Sequence, residues 1–395
     1  MSDMSIKENA RSRIKLIIRA LRLGRAARAI RGVFCYIFDM IGEAAFFMLR
    51  CLRIVTWPQP FNASGVKKIL IVRMDRIGDL IVSTPAIRAV RSGFNKAEIH
   101  ILVSAYNKDL VINNPNVNRV LVYGEDRIAN DYDTAIILHP GIRENYAAFA
   151  SGARWRVGFI GGGGGFFLTH KLKDDREIRR RHEVESALEV VAVIGCATDN
   201  KKMEISVTPE GERFAEVFFA RHNLAGRRVV IMHPGARQPH VRWKAEGFAE
   251  VANRLIAEKG VKIILTAGAS EKQLVERITA SMAEKPICVQ DVALRDLVSL
   301  IKRCAIYIGN ITGPMHIAAA LDVPVVAIAG VIHPLDSYEE WGPRGENHIA
   351  VKSGATCAHC HPSDCSTYKC MEAIKADDVF EAAVRQLSRN TGPGQ

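Results

Sequence analysis

Acidic residues and long uncharged apolar runs are both scarce at the start of this chain, and each shortage excludes something. Up to Trp57 there are four acids, Asp3, Glu8, Asp39 and Glu43, against eleven lysines and arginines, a net charge of +7 out of +12 for all 395 residues. The apolar segment 33–49 is interrupted by Asp39 and Glu43, which share one helix face. A spanning helix needs about 20 mainly apolar residues, so this segment is not expected to cross a bilayer. It is not a secretory signal either, because charges continue past Arg31. Basic charge raises the question of nucleic acid. Zinc-finger, helix-turn-helix and RNA-binding signatures are all missing, so no nucleic-acid partner is expected.

What the segment does contain is apolar periodicity. Ile14, Ile17, Ile18 and Leu21 form one stripe; after a break at Gly24, Ile30, Phe34, Ile37, Ile41, Ala45 and Met48 form another. Basic amphipathic helices of this kind suit the plane of an anionic membrane surface. The competing reading is that they pack on the protein's own core.

Beyond a Pro- and Gly-containing linker at 57–65, strands and helices alternate. Strands are predicted at 69–72, 99–103, 120–123 and 135–138, with helices at 80–91, 144–151 and 183–194. Five consecutive glycines, 161–165, read as a mobile loop or as backbone that hugs a ligand. A second series follows a boundary near 207–226. Its strands are predicted at 229–232, 261–265, 306–309 and 323–328, and its helices at 247–258, 271–282, 294–303 and 314–321. A last amphipathic helix is predicted at 377–388. Alternation of this kind predicts an α/β fold with doubly wound parallel sheets. The chain divides on this reading into amphipathic helices (1–57), a first α/β domain (66–206), a second (226–356), a cysteine cluster (357–370) and a closing helix (371–389).

Three strand-end turns carry polar chemistry. Arg73-Met74-Asp75-Arg76-Ile77-Gly78-Asp79 follows the first strand and runs into a helix. There Asp79 is placed either as a general base facing a cleft or as a helix N-cap. His233-Pro234-Gly235-Ala236-Arg237, with Val241-Arg242-Trp243, is a glycine loop whose Arg237 and Arg242 suit a diphosphate; solvated arginines are the plainer reading. Asn310-Ile311-Thr312-Gly313-Pro314-Met315-His316 opens another helix, whose starting amides, with the Thr312 hydroxyl, favour phosphate.

Together these turns resemble glycosyltransferase family 9, the ADP-heptose:lipopolysaccharide heptosyltransferases. The resemblance runs from Lys67 to Val379. It rests on Ile77-Gly78-Asp79 with Thr84-Pro85, on His233-Pro234-Gly235-Ala236 with Arg242-Trp243, and on Asn310 to Leu321. It implies a GT-B fold of two Rossmann-like domains facing a cleft, and a C-terminal helix returning to the first domain. It also implies an inverting transfer with no cofactor required for catalysis. Asp79 would be the base. The nucleotide-sugar donor would lie against Gly78, Gly235, Arg237, Arg242, Glu271, Asn310, Thr312, Gly313, Pro314, Met315 and His316. The acceptor would be a lipid-linked glycan of lipopolysaccharide type, and the enzyme a peripheral protein on the cytoplasmic face of the bacterial inner membrane. Two positions depart from the family pattern. Ile311 stands where members usually carry Asp, and Val241 where many carry Lys. Two alternatives follow: a family 9 transferase with another nucleotide-sugar donor, or a catalytically dead membrane-bound scaffold.

Nine cysteines are present, and those in apolar runs, such as Cys288 and Cys304, read as reduced core residues. Cys357, Cys360, Cys365 and Cys370, interleaved with His359 and His361, crowd into fourteen residues. That density suits a structural Zn or Fe site, though the spacing is irregular for a zinc ribbon. Reduced thiols and disulfides are the other readings.

Overall fold

The computed structural model describes residues 32–331, 333, 336–355, 365 and 367–389. The stripe at Ile14 to Leu21, Gly24 and Ile30, and also Cys357 and Cys360, lie outside these. A helix, α1 (Gly32–Cys51), comes first. The first sheet is built from β1 (Lys68–Val72), β2 (Glu98–Val103), β3 (Arg119–Val122), β4 (Thr134–Ile137), β5 (Trp155–Ile160) and β6 (His170–Lys173). Its helices are α2 (Ile77–Val82), α3 (Thr84–Gly93), α4 (Ile142–Ala150), α5 (Arg176–Arg179) and α6 (Glu183–Ala192). α7 (Pro209–Arg221) leads to the second sheet: β7 (Val229–His233), β8 (Lys262–Ala267), β9 (Ile287–Gln290), β10 (Ile306–Asn310), β11 (Val325–Ala329) and β12 (His348–Lys352). Around it lie α8 (Ala245–Lys259), α9 (Lys272–Ala280), α10 (Leu294–Lys302), α11 (Gly313–Ala320), α12 (Tyr338–Trp341), α13 (Lys369–Glu372) and α14 (Ala376–Arg389).

Both sheets are parallel and share one topology. The orders are β3-β2-β1-β4-β5-β6 and β9-β8-β7-β10-β11-β12. Helices cover both faces, so the central strands read as unbroken apolar runs: Ile69 to Val72 in β1 and Val229 to Met232 in β7 are all buried. Four strands escaped sequence reading: β5, β6, β9 and β12. β5 carries Arg156 and Gly158, and β6 is an edge strand with alternating exposure.

Three expectations change. The helix expected at 80–91 is two helices, beginning at Ile77 and broken at Ser83. Pro85 in the first turn of α3 has no N–H to continue the earlier ladder. The glycine run is packed, not loose. A Cβ on Gly162 would lie 2.1 Å from the Pro140 carbonyl oxygen, and Gly165 N–H donates to the Asp39 carboxylate at 3.0 Å. The last helix does not return to the first sheet. The apolar face of α14, with Val379, Phe380, Ala383 and Leu387, joins the core around β10 and α8, and the Gln386 amide donates to the Val325 and Asn347 carbonyls.

α1 has two unlike faces. One docks on the first sheet through Asp39, through the Glu43–Lys171 ion pair, and through Phe38 and Phe46 against Phe166. The other exposes Val33, Phe34, Tyr36, Ile37, Met40, Ile41, Phe47 and Met48. By length and composition alone α1 is apolar enough to cross a membrane.

Candidate active site

In each sheet the strand order reverses beside the first strand, between β1 and β4 and between β7 and β10. At such switch points the carboxyl ends of open α/β sheets leave a crevice for ligands. The polar turns identified in the sequence sit there.

On the first sheet, β1 delivers Arg73 into a nearly solvent-free position. Its Nε donates to the Asp79 carbonyl at 3.0 Å, and its Nη1 donates to the Leu138 carbonyl after β4. The guanidinium lies beside two carboxylates: Nε is 3.2 Å from Asp75 Oδ1, and Nη2 is 3.6 Å from Asp79 Oδ1. Asp79 is the third residue of α2. The N-cap position is Arg76, and no side chain caps that helix, so Asp79 is not an N-cap. Burial, then the neighbouring Asp75 charge, push the Asp79 carboxyl up to about 6, against the pull of Arg73. A base poised near neutrality suits proton abstraction.

On the second sheet the turn after β7 is held by its neighbours. The Asn310 amide donates to the Pro234 carbonyl at 2.8 Å, while its Oδ1 accepts from the Trp243 N–H at 3.1 Å. Asn310 therefore stitches the β7 and β10 turns together and is fully buried. Arg242 turns inward and donates to the Ala236 carbonyl. Arg237 is exposed, and among the described residues nothing pairs with it. Gly235 is pressed against Glu271: a Cβ there would fall 2.0 Å from Glu271 Oε2. That carboxylate also accepts from the Gly268 N–H at 2.9 Å. Thr312 takes the N-cap position of α11, Pro314 lies in the first turn, and Met315 is in the core.

The two switch points meet. A Cβ on Gly78 would lie 2.9 Å from His316 Cδ2, and one on Gly313 would lie 2.8 Å from Ile77 Cβ. The room that Gly313 leaves is thus taken by the first sheet's helix. His316 is buried with its ring 6.1 Å from that of Trp341, and burial pushes its imidazole down to about 3. Gly78 and His316 are brought together, as are Gly235 with Glu271 and Asn310 with the β7 turn.

Sequence reading singled out Asp79 and overlooked its surroundings. Arg73 and Asp75 were visible, since two acids four apart flank the same glycine turn. His139, whose Nδ1 is 3.2 Å from Asp75 Oδ2, gives no such signal. Glu340 was also missed. It is buried at 1%, its Oε1 has no partner among the described residues, and burial with Glu183 and Asp336 nearby pushes it up to about 8.

The profile of glycosyltransferase family 9 (heptosyltransferase) matches residues 126–371. The chain belongs to glycosyltransferase family 9. Among relatives of this family 9 enzyme is lipooligosaccharide heptosyltransferase 2 of Campylobacter jejuni serotype O:2. It is 24% identical over 338 residues, which is 82% of this chain and 99% of the relative. A family 9 glycosyl transferase from Veillonella parvula superposes with a TM-score of 0.72 at 23% identity, covering 82% of this chain and 98% of that one. Escherichia coli ADP-heptose LPS heptosyltransferase II gives 0.65 at 21% identity, covering 82% and 100%. The fold is therefore GT-B, and the protein is a glycosyltransferase.

Proposed function

We propose that this family 9 enzyme moves a heptose from an ADP-sugar to a lipid-linked core glycan, with inversion and with Asp79 as the base. The observation that carries the reading is the Asp79 carboxylate, half-buried at the first switch point 3.6 Å from the Arg73 guanidinium, with its pKa pushed up to about 6. In the transfer, the acceptor hydroxyl proton goes to an Asp79 carboxylate oxygen. The hydroxyl oxygen bonds the anomeric carbon, and the bond to the diphosphate breaks with its electrons on the phosphate oxygen. Positive charge stabilises the departing nucleotide, and the exposed guanidinium of Arg237 is assigned that task. Glu271 and the Thr312 hydroxyl would hold the nucleotide side.

The acceptor's lipid matches α1. Its exposed apolar face, following a strongly basic start, suits the anionic cytoplasmic surface of an inner membrane. A spanning placement would pull Asp39 and Glu43 from Gly165 and Lys171, so the peripheral reading is preferred.

Another nucleotide-sugar donor is favoured by one observation: Ile311 is packed against the core where family members usually present a carboxylate. A panel of nucleotide sugars separates the readings. ADP-heptose should raise the melting temperature most and be turned over with a core-glycan acceptor. A different sugar doing both would move the assignment, and turnover of none would leave the scaffold reading.

At the cysteine cluster we assign a structural Zn or Fe. Of its described members, Cys370 is buried and Cys365 Sγ accepts the Tyr368 N–H at 3.3 Å. Such a metal would hold the segment before α14, and elemental analysis of untagged protein should find about one equivalent. Less than about 0.2 equivalents would leave reduced thiols.

A further inference from the structure

The turn between β1 and α2 holds a second carboxylate to which the transfer, as described, gives no task. Among the described residues no well-aligned hydrogen bond reaches either side-chain oxygen of Asp75, although the group is largely buried and the Asp79 carboxyl lies within hydrogen-bonding reach of it. Its close neighbours are Arg73 Nε, 3.2 Å from Oδ1, and His139 Nδ1, 3.2 Å from Oδ2. The backbone beneath it is fixed, because the Asn107 amide donates to the Asp75 carbonyl at 2.7 Å. One buried guanidinium thus faces two carboxylates. If Asp75 served only to neutralise Arg73, a bidentate hydrogen-bonded pair would be the expected geometry, and the single 3.2 Å approach of Nε to Oδ1 is not one.

We propose that Asp75 is a positioning residue for Asp79: its charge, held between Arg73 and His139, keeps the Asp79 carboxylate basic enough to take the acceptor's hydroxyl proton. The inference rests on Asp79 being the base. The charged and titratable groups around the pair are Arg73 and Arg76 from the turn, His139 after β4, Glu144 from α4, and Glu183 from α6, with Arg176 near His139. Arg73, Arg76 and a protonated His139 would draw the Asp79 carboxyl down; Asp75 opposes them. Burial and Arg73 hold the His139 imidazole below its usual range, so at neutral pH it carries little charge to cancel Asp75. With Asp75 removed, Arg73 would act on Asp79 alone and weaken it as a base. The two carboxyls titrate as a coupled pair, whose apparent values belong to both.

The test is the pH dependence of kcat/KM for the full-length enzyme. Wild type should lose activity as pH falls through about 6. Asp75→Asn should move that acid limb to lower pH by about one unit and lower the plateau by about tenfold, as a weaker base does. Asp75→Glu, which restores a carboxylate, should keep the wild-type limb even if its plateau drops. A limb that stays in place in Asp75→Asn, with activity reduced equally at every pH, overturns the proposal and leaves Asp75 a packing residue. Should Asp75→Asn fail to fold, Asp75→Ser carries the same test, being uncharged and smaller. Asp79→Asn separates the two claims. If it keeps wild-type turnover, the base assignment falls; if it is inactive while the Asp75→Asn limb is unmoved, only the role of Asp75 falls.

Discussion

The turn after β1 and the turn after β7 occupy the same place in two sheets of the same strand order, yet their side chains differ in kind. The first carries two half-buried carboxylates around a buried arginine. The second carries a glycine against Glu271, an arginine folded inward and an arginine left exposed. Topology supplies two equivalent switch points, and the side chains around each decide its chemistry. A carboxylate in a dry crevice becomes a base. An exposed guanidinium stays a cation available to an anion from solution. On this account proton transfer belongs to the first turn and nucleotide capture to the second.

Replacing the base gives the largest expected effect. Asp79→Asn should cut turnover by about 10²-fold or more. In wild type the rate should fall as the pH drops through about 6, because a raised carboxyl pKa means Asp79 is charged only above it. An Asp79→Asn enzyme with a normal rate would move the base elsewhere and break the contrast between the turns. Deleting residues 1–57 isolates the turns from the membrane. Pelleting with anionic liposomes should be lost, while turnover of a water-soluble acceptor analogue should persist. Equal pelleting of the shortened protein would place the anchor elsewhere. On the second turn, Arg237→Ala should raise KM for the donor about tenfold, the loss of one charge-assisted contact worth about 1.4 kcal/mol. An unchanged KM would remove Arg237 from the nucleotide side. The effect at the seam is on stability and not on the reaction. Gly313→Ala places a Cβ 2.8 Å from Ile77 and should cost about 1–3 kcal/mol of stability by overpacking, read as a lower melting temperature. No change there would mean that α2 and α11 separate easily.

The sequence displayed the sheets well where strands are buried on both faces, as in Ile69 to Val72, because such runs need no partner to be recognised. It hid β6 and β9, whose half-exposed residues mix polar and apolar side chains. The glycine run looked loose because its partners, Pro140 and Asp39, are distant in sequence. The fate of the last helix was equally hidden, since an amphipathic face does not say which sheet it will cover. In the site, Asp79 was legible from its place after a strand-end glycine. His139 and Glu340 were not, because each enters from another element and gains its character only from burial beside charges remote in sequence. Arg242 shows another case: it reads as a ligand for phosphate, and in the structure its Nη2 donates to the Ala236 carbonyl while Nε has no partner among the described residues.

Donor affinity and turnover, measured side by side in Asp79→Asn and Arg237→Ala, test the division of labour most directly. Titration calorimetry with the ADP-sugar and steady-state rates with the acceptor suffice. The account expects Asp79→Asn to bind donor as wild type does while losing about 10²-fold in kcat, and Arg237→Ala to lose about tenfold in donor affinity with most of its kcat retained. Loss of donor binding in Asp79→Asn, or an Arg237→Ala enzyme that binds normally and fails in kcat, would contradict it.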